Sequence, residues 1–145
     1  MKATGSIIDR IYEAHRLLAA LEEAPREYIP GESLFASEIH MVEAVWAHEG
    51  CNLTELAQVQ DISPPAAFKV AAKLERKGYL VKRSKEENAK EVIFWLTAKG
   101  RQAAARHADF EKRTFGPLRA LEASLSPGDR VTIAAFLDAL KEALE

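Results

Sequence analysis

The sequence predicts a mainly α fold that contains one small β-hairpin. Apolar residues recur at helical spacing through most of the 145 residues, and capping residues and prolines mark several helix starts. The pattern becomes strand-like between Tyr79 and Leu96. Apolar residues make up 48% of the chain and charged residues 29%, which is the balance of a globular protein with a buried core. The length fits one domain, residues 1–145.

Two helices are predicted ahead of the central region. An apolar seam along residues 6–24 predicts the first helix, which ends before Pro25. Pro30-Gly31 indicates a loop. Ser37 is predicted to cap a second helix that stops at Gly50. The expected apolar face of this helix is formed by Ile39, Val42, Val45 and Trp46.

A short helix, a turn and a longer helix are predicted next, which is the order of a helix-turn-helix. Residues 52–55 form a capping box that opens the short helix. Ser63 and Pro64 start the longer helix, because proline at the first helical position loses no hydrogen bond, and Gly78 ends it.

The longer helix has an apolar face and a basic face. The apolar face is predicted to be Ala67, Val70 and Leu74. The opposite face presents Pro64, Pro65, Phe68, Lys69, Ala72 and Lys73, and Ser63 can add a hydroxyl at the helix N-terminus. A helix fits the major groove of duplex DNA, where lysines reach guanine edges or phosphates and an apolar side chain can contact a thymine methyl. The alternative is that Phe68 belongs to the core and the helix is rotated.

The runs Tyr79–Arg83 and Glu91–Leu96 predict a β-hairpin around a charged turn. Its basic residues are Lys82, Arg83, Lys85 and Lys90. Residues 63–101 contain ten basic and four acidic residues, although the net charge of the chain is −2. We interpret the hairpin as a wing that contacts the DNA backbone or minor groove beside the helix. The alternative is that these basic residues only lie on solvent-exposed faces and do not contact DNA.

Two helices are predicted after Thr97. Pro117 is expected to kink or end the first of them. The second starts at a capping box, residues 126–129, with proline at its first helical position.

The terminal helices carry apolar stripes that a minimal winged helix does not need, so we expect a second copy of the chain to cover them. The sequence therefore predicts a DNA-binding lobe at 35–100 and a helical dimerisation region at 1–30 and 101–145. The predicted dimerisation residues are Ile7, Ile11, Leu18, Ile133, Phe136, Leu137 and Leu140.

The chain resembles the MarR family of bacterial winged-helix regulators over roughly residues 35–105. The matching stretches are Ser37–Ala44, Leu53–Ala57, Ile62–Ala67, Lys73–Leu80 and Leu96–Arg101. The resemblance implies a homodimer that reads a palindromic operator with half-sites about one helical turn apart. It makes residues 63–77 the recognition helix and residues 82–90 the wing. Most members repress transcription and release DNA when a small molecule, an oxidant or a metal binds or leaves.

The chain departs from the family pattern at three places. Asn88 and Lys90 stand where family wings usually carry Asp and Arg, so we expect a weaker minor-groove contact. Gln60 replaces an apolar residue. Asp61 replaces glycine, in a position where the left-handed conformation is expected.

His40 and His107 lie where zinc-responsive relatives place histidines, and Glu111 follows His107 by one helical turn. These three residues are the candidate effector pocket or metal site. Glu27 or Glu32 could add a ligand from the preceding loop. Cys51 is a candidate redox switch, but the interpretation we favour is a buried or incidental cysteine.

No catalytic motif occurs, so no enzyme is expected, and no cofactor is required, with zinc or another divalent metal as the alternative. The expected partners are operator DNA, a second copy of the chain and an unknown small-molecule or metal effector. No association with a membrane is expected. The single cysteine and the lack of a signal or membrane segment indicate a cytoplasmic protein. The alternative functions are a winged-helix protein-interaction module without DNA binding and a metal-sensing member of the same family.

Overall fold

The computed structural model describes residues 5–145, apart from the side chain at position 89. The described part contains six helices and five strands. In chain order they are α1 (Ile7–Glu23), β1 (Arg26–Ile29), β2 (Glu32–Leu34), α2 (Ala36–Ala47), β3 (Cys51–Asn52), α3 (Leu53–Val59), α4 (Pro64–Arg76), β4 (Leu80–Lys85), β5 (Asn88–Leu96), α5 (Ala98–Ser124) and α6 (Pro127–Leu144). The predicted fold class, mainly α with a β-hairpin wing, is confirmed.

The chain divides into two compact units, Met1–His107 and Ala108–Glu145. The first unit holds α1 to the beginning of α5, and the second holds the rest of α5 and α6. The predicted division into a DNA-binding lobe and a dimerisation region stays a prediction. The first four residues of the predicted segment 1–30 lie outside the described residues.

The core of the first unit is built from the inward faces of α2, α3 and α4 and from the sheet beside them. Ala67 and Leu74 are buried as predicted, Val70 packs against the core, and Ala71 is buried as well. Trp46 is 46% exposed, so its predicted place on the apolar face of α2 is wrong. It lies beyond the stripe formed by Ile39, Val42 and Val45, all of which are buried.

Two antiparallel sheets accompany the helices. β1 pairs with β2, and a three-stranded sheet has the order β3-β5-β4. The loop predicted at Pro30-Gly31 is therefore the tight turn of a hairpin, in which Gly31 has a φ of 78°. In the wing, Leu80 lies opposite Leu96, and pairing continues to Lys85 and Asn88. The strands are longer than predicted because backbone pairing extends into polar residues, which an apolar pattern does not mark.

Most predicted helix starts are confirmed. The side chains of Asn52, Ser63 and Ser126 accept hydrogen bonds from backbone N–H groups in the first turns of α3, α4 and α6. The predicted cap at Ser37 is wrong, because α2 already begins at Ala36.

Phe35 is the N-cap residue of α2, and two further backbone predictions concern Asp61 and Pro117. The N–H of Phe35 donates to the Glu38 carboxylate at 2.9 Å, which lets α2 begin without a Ser or Thr cap. Asp61 has a φ of 51°, so the expected left-handed conformation is confirmed. The helix does not end at Pro117, because α5 continues to Ser124.

Candidate functional site

The N-terminal part of α4 presents an exposed face. Ser63, Pro64, Pro65 and Lys69 are exposed, and the Phe68 side chain is 57% exposed. The alternative in which Phe68 belongs to the core is therefore wrong. Pro64 and Pro65 fix the first turn, and the Ser63 side chain accepts the N–H of Ala66. A helix N-terminus that is exposed in this way attracts phosphate.

The lysines of α4 differ in their surroundings. Lys69 has no ion-pair partner among residues 5–145. The Lys73 ammonium lies 3.2 Å from Glu38 Oε1 and 5.4 Å from the centre of the Phe35 ring. Of the two lysines predicted to contact DNA from this helix, Lys69 is thus the one free to do so without breaking an ion pair.

Glu38 joins α2 to α4 from a buried position, with only 2% of its side chain exposed. Lys77 Nζ donates to its Oε1 at 2.7 Å, next to Lys73, and the Phe35 N–H donates to Oε2. Burial by itself would raise the pKa of Glu38, but these hydrogen bonds outweigh it and hold the pKa below its ordinary value. The contact fixes α4 against α2.

A second set of contacts holds the C-terminal end of α4. Lys99 Nζ donates to the Lys77 carbonyl oxygen at 2.7 Å and to Glu32, and it lies 4.5 Å from the centre of the Tyr79 ring. Tyr79 donates its hydroxyl to Glu32 at 2.9 Å. A Cβ at Gly100 would lie 2.2 Å from the Tyr79 carbonyl oxygen, so this close approach requires glycine. These contacts place the start of α5 beside the junction of α4 and β4.

The wing carries all four predicted basic residues, in three kinds of environment. Lys82 and Lys85 form ion pairs with carboxylates, at 2.7 Å and 3.2 Å respectively. The Arg83 guanidinium lies 6.0 Å from the centre of the Trp95 ring. Lys90 is exposed, and its N–H donates to the Asn88 side chain at 3.2 Å.

The predicted effector residues are brought together only in part. Ligand atoms of His40, Glu43 and His107 all lie within 4.8 Å of one another. His107 is 4% exposed, and its Nδ1 lies 2.9 Å from the Tyr28 hydroxyl, while its Nε2 lies 3.3 Å from Glu43. We call His40, Glu43 and His107 the histidine cluster.

Glu111 is not a member of the group of potential metal ligands found in the described chain, and its carboxylate lies 3.7 Å from Arg119. Glu27 and Glu32 are not members of it either, and Glu32 is engaged by Lys99 and Tyr79. Sequence reasoning missed Glu43. Its position three residues after His40, on the same helix face, was the signal that could have found it.

The donor set of the histidine cluster fits a divalent metal such as zinc. Two imidazoles and one carboxylate are the protein ligands of open zinc sites. The Tyr28 hydroxyl oxygen lies 2.9 Å from Nδ1 of His107 and can accept a hydrogen bond from an Nδ1–H group, in which case the lone pair of Nε2 would be available to a metal.

Cys51 is 6% exposed, in strand β3. Burial raises the pKa of its thiol to about 11, so the thiolate that reacts with oxidants is scarce at neutral pH. This environment favours the interpretation of Cys51 as an incidental buried cysteine over that of a redox switch.

The helices predicted to form a dimer leave their apolar residues exposed in the single chain. Ile7 is 62% exposed in α1, and Leu137 is 50% exposed in α6. Leu18, Ile133 and Phe136 are likewise exposed, while Ile11 and Leu140 are half-buried. Neither α1 nor α6 contains a buried residue. None of the described helices combines the length and the apolar character needed to cross a lipid bilayer.

A family model described as the MarR family matches residues 34–92. The HTH-type transcriptional regulator PchR of Bacillus subtilis is 26% identical over 124 residues, which cover 86% of this chain and 73% of PchR. The HTH-type transcriptional regulator Hpr of Bacillus cytotoxicus is 28% identical over 86 residues, which cover 59% of this chain and 46% of Hpr.

Among solved structures, the chain is similar to ZitR of Lactococcus lactis, a zinc-responsive MarR family member. The complex of ZitR with DNA superposes with a TM-score of 0.74 and 21% identity, over 97% of this chain and 99% of ZitR. At 21% sequence identity, this structural similarity shows that the two proteins share a fold.

Proposed function

We propose that the chain is a transcriptional regulator of the MarR family that binds double-stranded DNA sequence-specifically, which the family match over residues 34–92, the HTH-type relatives and the geometry above support. We propose further that it acts as an effector-responsive repressor and binds a palindromic operator as a homodimer. In this arrangement α4 enters the major groove, and the wing formed by β4 and β5 contacts the backbone and the adjacent minor groove.

The observation that carries the proposal is the exposed face of α4, from which Phe68 and Lys69 project without a partner in the core. A large apolar side chain costs free energy when it is exposed to water, and contact with a thymine methyl would remove that cost. Lys69 lies beside it and supplies a donor for a guanine edge or a phosphate. An interaction module without DNA binding has no need of this combination next to a basic wing.

The direct test is the fluorescence anisotropy of a labelled duplex, titrated with the purified protein at several salt concentrations. Genomic fragments selected by the protein supply the duplex. We expect the affinity to fall on the order of 10³-fold between about 50 and about 200 mM salt, if several phosphates are contacted. A protein-interaction module would show no duplex binding at the lowest salt concentration.

The proposed homodimer would cover the exposed apolar residues of α1 and α6. Two copies of α4 would then face successive major grooves, as a palindromic operator requires. A regulator of this kind works in the compartment that holds its operator, and we propose that this compartment is the cytoplasm. It binds and releases DNA without chemistry, and we propose no enzymatic activity.

The histidine cluster is the proposed effector site, and a divalent metal is the ligand class that its donors favour. His40 and Glu43 lie on α2, the helix that also carries Glu38, so a metal held by the cluster would act on the element that fixes α4. ZitR, which is zinc-responsive, supports this second proposal. A bound metal would link α2, through His40 and Glu43, to His107.

Zinc uptake measured by competition with a chromophoric chelator tests the second proposal. We expect His40→Ala and His107→Ala to lose uptake and the zinc-dependent change in duplex affinity. His15→Ala is the matched control, because His15 is an exposed histidine on α1 outside the cluster. If both cluster variants keep zinc uptake and the DNA response of the wild type, the cluster is not the effector site.

A further inference from the structure

Two of the wing lysines are already neutralised by carboxylates of the same chain. Lys82 Nζ lies 2.7 Å from Glu75 Oε2, and Lys85 Nζ lies 3.2 Å from Glu91 Oε2. Glu75 belongs to α4, so the first pair ties the wing to the recognition helix. The second pair is internal to the wing. We call Glu75 and Glu91 the wing carboxylates.

Glu91 is held in place independently of Lys85. The Asn52 side chain donates from Nδ2 to Glu91 Oε1 at 3.0 Å. Asn52 is itself fixed as the cap of α3, because its Oδ1 accepts the N–H of Glu55 at 2.9 Å. The hydrogen bond from Asn52, with that from Lys85, holds the pKa of Glu91 below its ordinary value, so the carboxylate is charged at neutral pH.

A lysine that binds a phosphate normally gains free energy from the release of diffusible counterions. A carboxylate that belongs to the protein cannot diffuse away when its lysine turns to a phosphate. It stays beside the DNA backbone, where it repels the phosphate. Each wing carboxylate therefore removes part of the gain that its lysine would otherwise contribute to binding.

We propose that Glu75 and Glu91 compete with DNA phosphates for Lys82 and Lys85 and thereby limit sequence-independent binding. The inference rests on the proposed DNA-binding function and names residues that set its selectivity. Lys69, on the face of α4 that would read bases, has no such competitor in the described chain. The competition therefore weakens the contacts of the wing with the DNA backbone, which are the same for every sequence. It does not affect the contact of Lys69 with the bases, which depends on the sequence.

The test is the affinity for a short duplex of random sequence, measured by anisotropy as a function of salt. Glu91→Gln and Glu75→Gln remove the negative charge and keep the side-chain shape, and the new amide oxygen at position 91 can still accept the hydrogen bond from Asn52. We expect each variant to bind about threefold to tenfold more tightly at about 50 mM salt. The slope of log K against log salt should become steeper by about 0.9 for each lysine released.

A double-mutant cycle shows whether Glu91 acts through Lys85. In a Lys85→Gln background, Glu91→Gln should raise the affinity no more than Glu86→Gln does, because only the direct repulsion between the carboxylate and the phosphates is then removed. Glu86→Gln is the matched control, because Glu86 is exposed in the wing turn and has no ion-pair partner among the described residues. It removes the same charge from the same hairpin, and its effect should be equal with and without Lys85.

The outcomes separate this inference from the proposed function. If the wild type binds the duplex and neither wing variant differs from it, the inference is wrong and the proposed function stands. If the wild type binds its selected genomic fragments but neither it nor any variant binds the random duplex, the inference is wrong and the proposed function stands. If neither the wild type nor any variant binds the selected fragments or the random duplex, both are wrong. If the variants bind where the wild type does not, the competition is stronger than expected and the inference is supported.

Discussion

Replacement of Glu38 by alanine should destabilise the fold more than any change at the exposed face of α4. The substitution removes the acceptor for Lys77, Lys73 and the Phe35 N–H at once. Hydrogen bonds to a charged group contribute about 1.5–3 kcal/mol each, and breaking a buried ion pair costs about 3–5 kcal/mol. The side chains of Lys77 and Lys73 are 32% and 45% exposed, so water can solvate them after the change. We therefore expect a loss of about 2–4 kcal/mol, in the range of broken buried ion pairs after this discount.

Urea unfolding followed by circular dichroism, at one fixed protomer concentration, measures this loss. Glu38→Gln should lose less, because its amide oxygen still accepts the Phe35 N–H. Glu13→Ala is the matched control, because Glu13 is exposed on α1, and it should stay within about 0.5 kcal/mol of the wild type. A Glu38→Ala variant as stable as this control would refute the role assigned to the buried carboxylate.

The contacts of the Glu38 carboxylate also predict that the free energy of unfolding depends on pH. The folded-state pKa of Glu38 lies below its ordinary value of 4.5. A lowered pKa gives stability that is fully present above the unfolded value and is lost as the pH falls through the folded value. The difference in unfolding free energy between the wild type and Glu38→Gln should therefore be constant near neutral pH and shrink below about pH 4.5. A difference that grows on acidification would contradict the assignment.

Three further predictions follow from exposed or buried side chains. Lys90→Ala should weaken binding to all duplexes alike, whereas Lys69→Ala should change which sequence is preferred; equal losses on every operator variant would contradict this division. Leu137→Glu should shift sedimentation from dimer to monomer, because it places a charge in the proposed interface; an unchanged dimer would show that α6 lies outside it. Cys51 should react with iodoacetamide at neutral pH only on unfolding, since burial raises the pKa of its thiol to about 11; rapid labelling of the folded protein would argue for an accessible thiolate.

Features set by neighbouring residues could be predicted from the sequence. The caps at Asn52, Ser63 and Ser126 depend on a side chain and a backbone N–H three residues apart, and all three are confirmed. The exposure of Phe68 followed from the spacing of apolar residues within one helix. Asp61 was identified as left-handed from the conformations open to its side chain, and its φ agrees.

Features set by contacts between distant residues could not be predicted in this way. Glu43 meets His107 across 64 positions of sequence, and no local pattern indicates that pairing. The sequence shows Glu75 and Glu91 only as negative charges, because their ion pairs with the wing lysines depend on which helix or strand lies beside which in the fold. The wing strands extend into polar residues for a similar reason, since hydrogen bonds between backbones determine where a hairpin ends.

Selection of duplexes from a random pool, followed by sequencing, tests most directly whether the exposed face of α4 reads DNA. We predict that the wild type enriches a two-fold symmetric sequence whose half-sites lie about one helical turn apart. The variants Phe68→Ala and Lys69→Ala should enrich altered half-sites with the same spacing. No enrichment by the wild type, or an enriched sequence that neither substitution changes, would contradict the account.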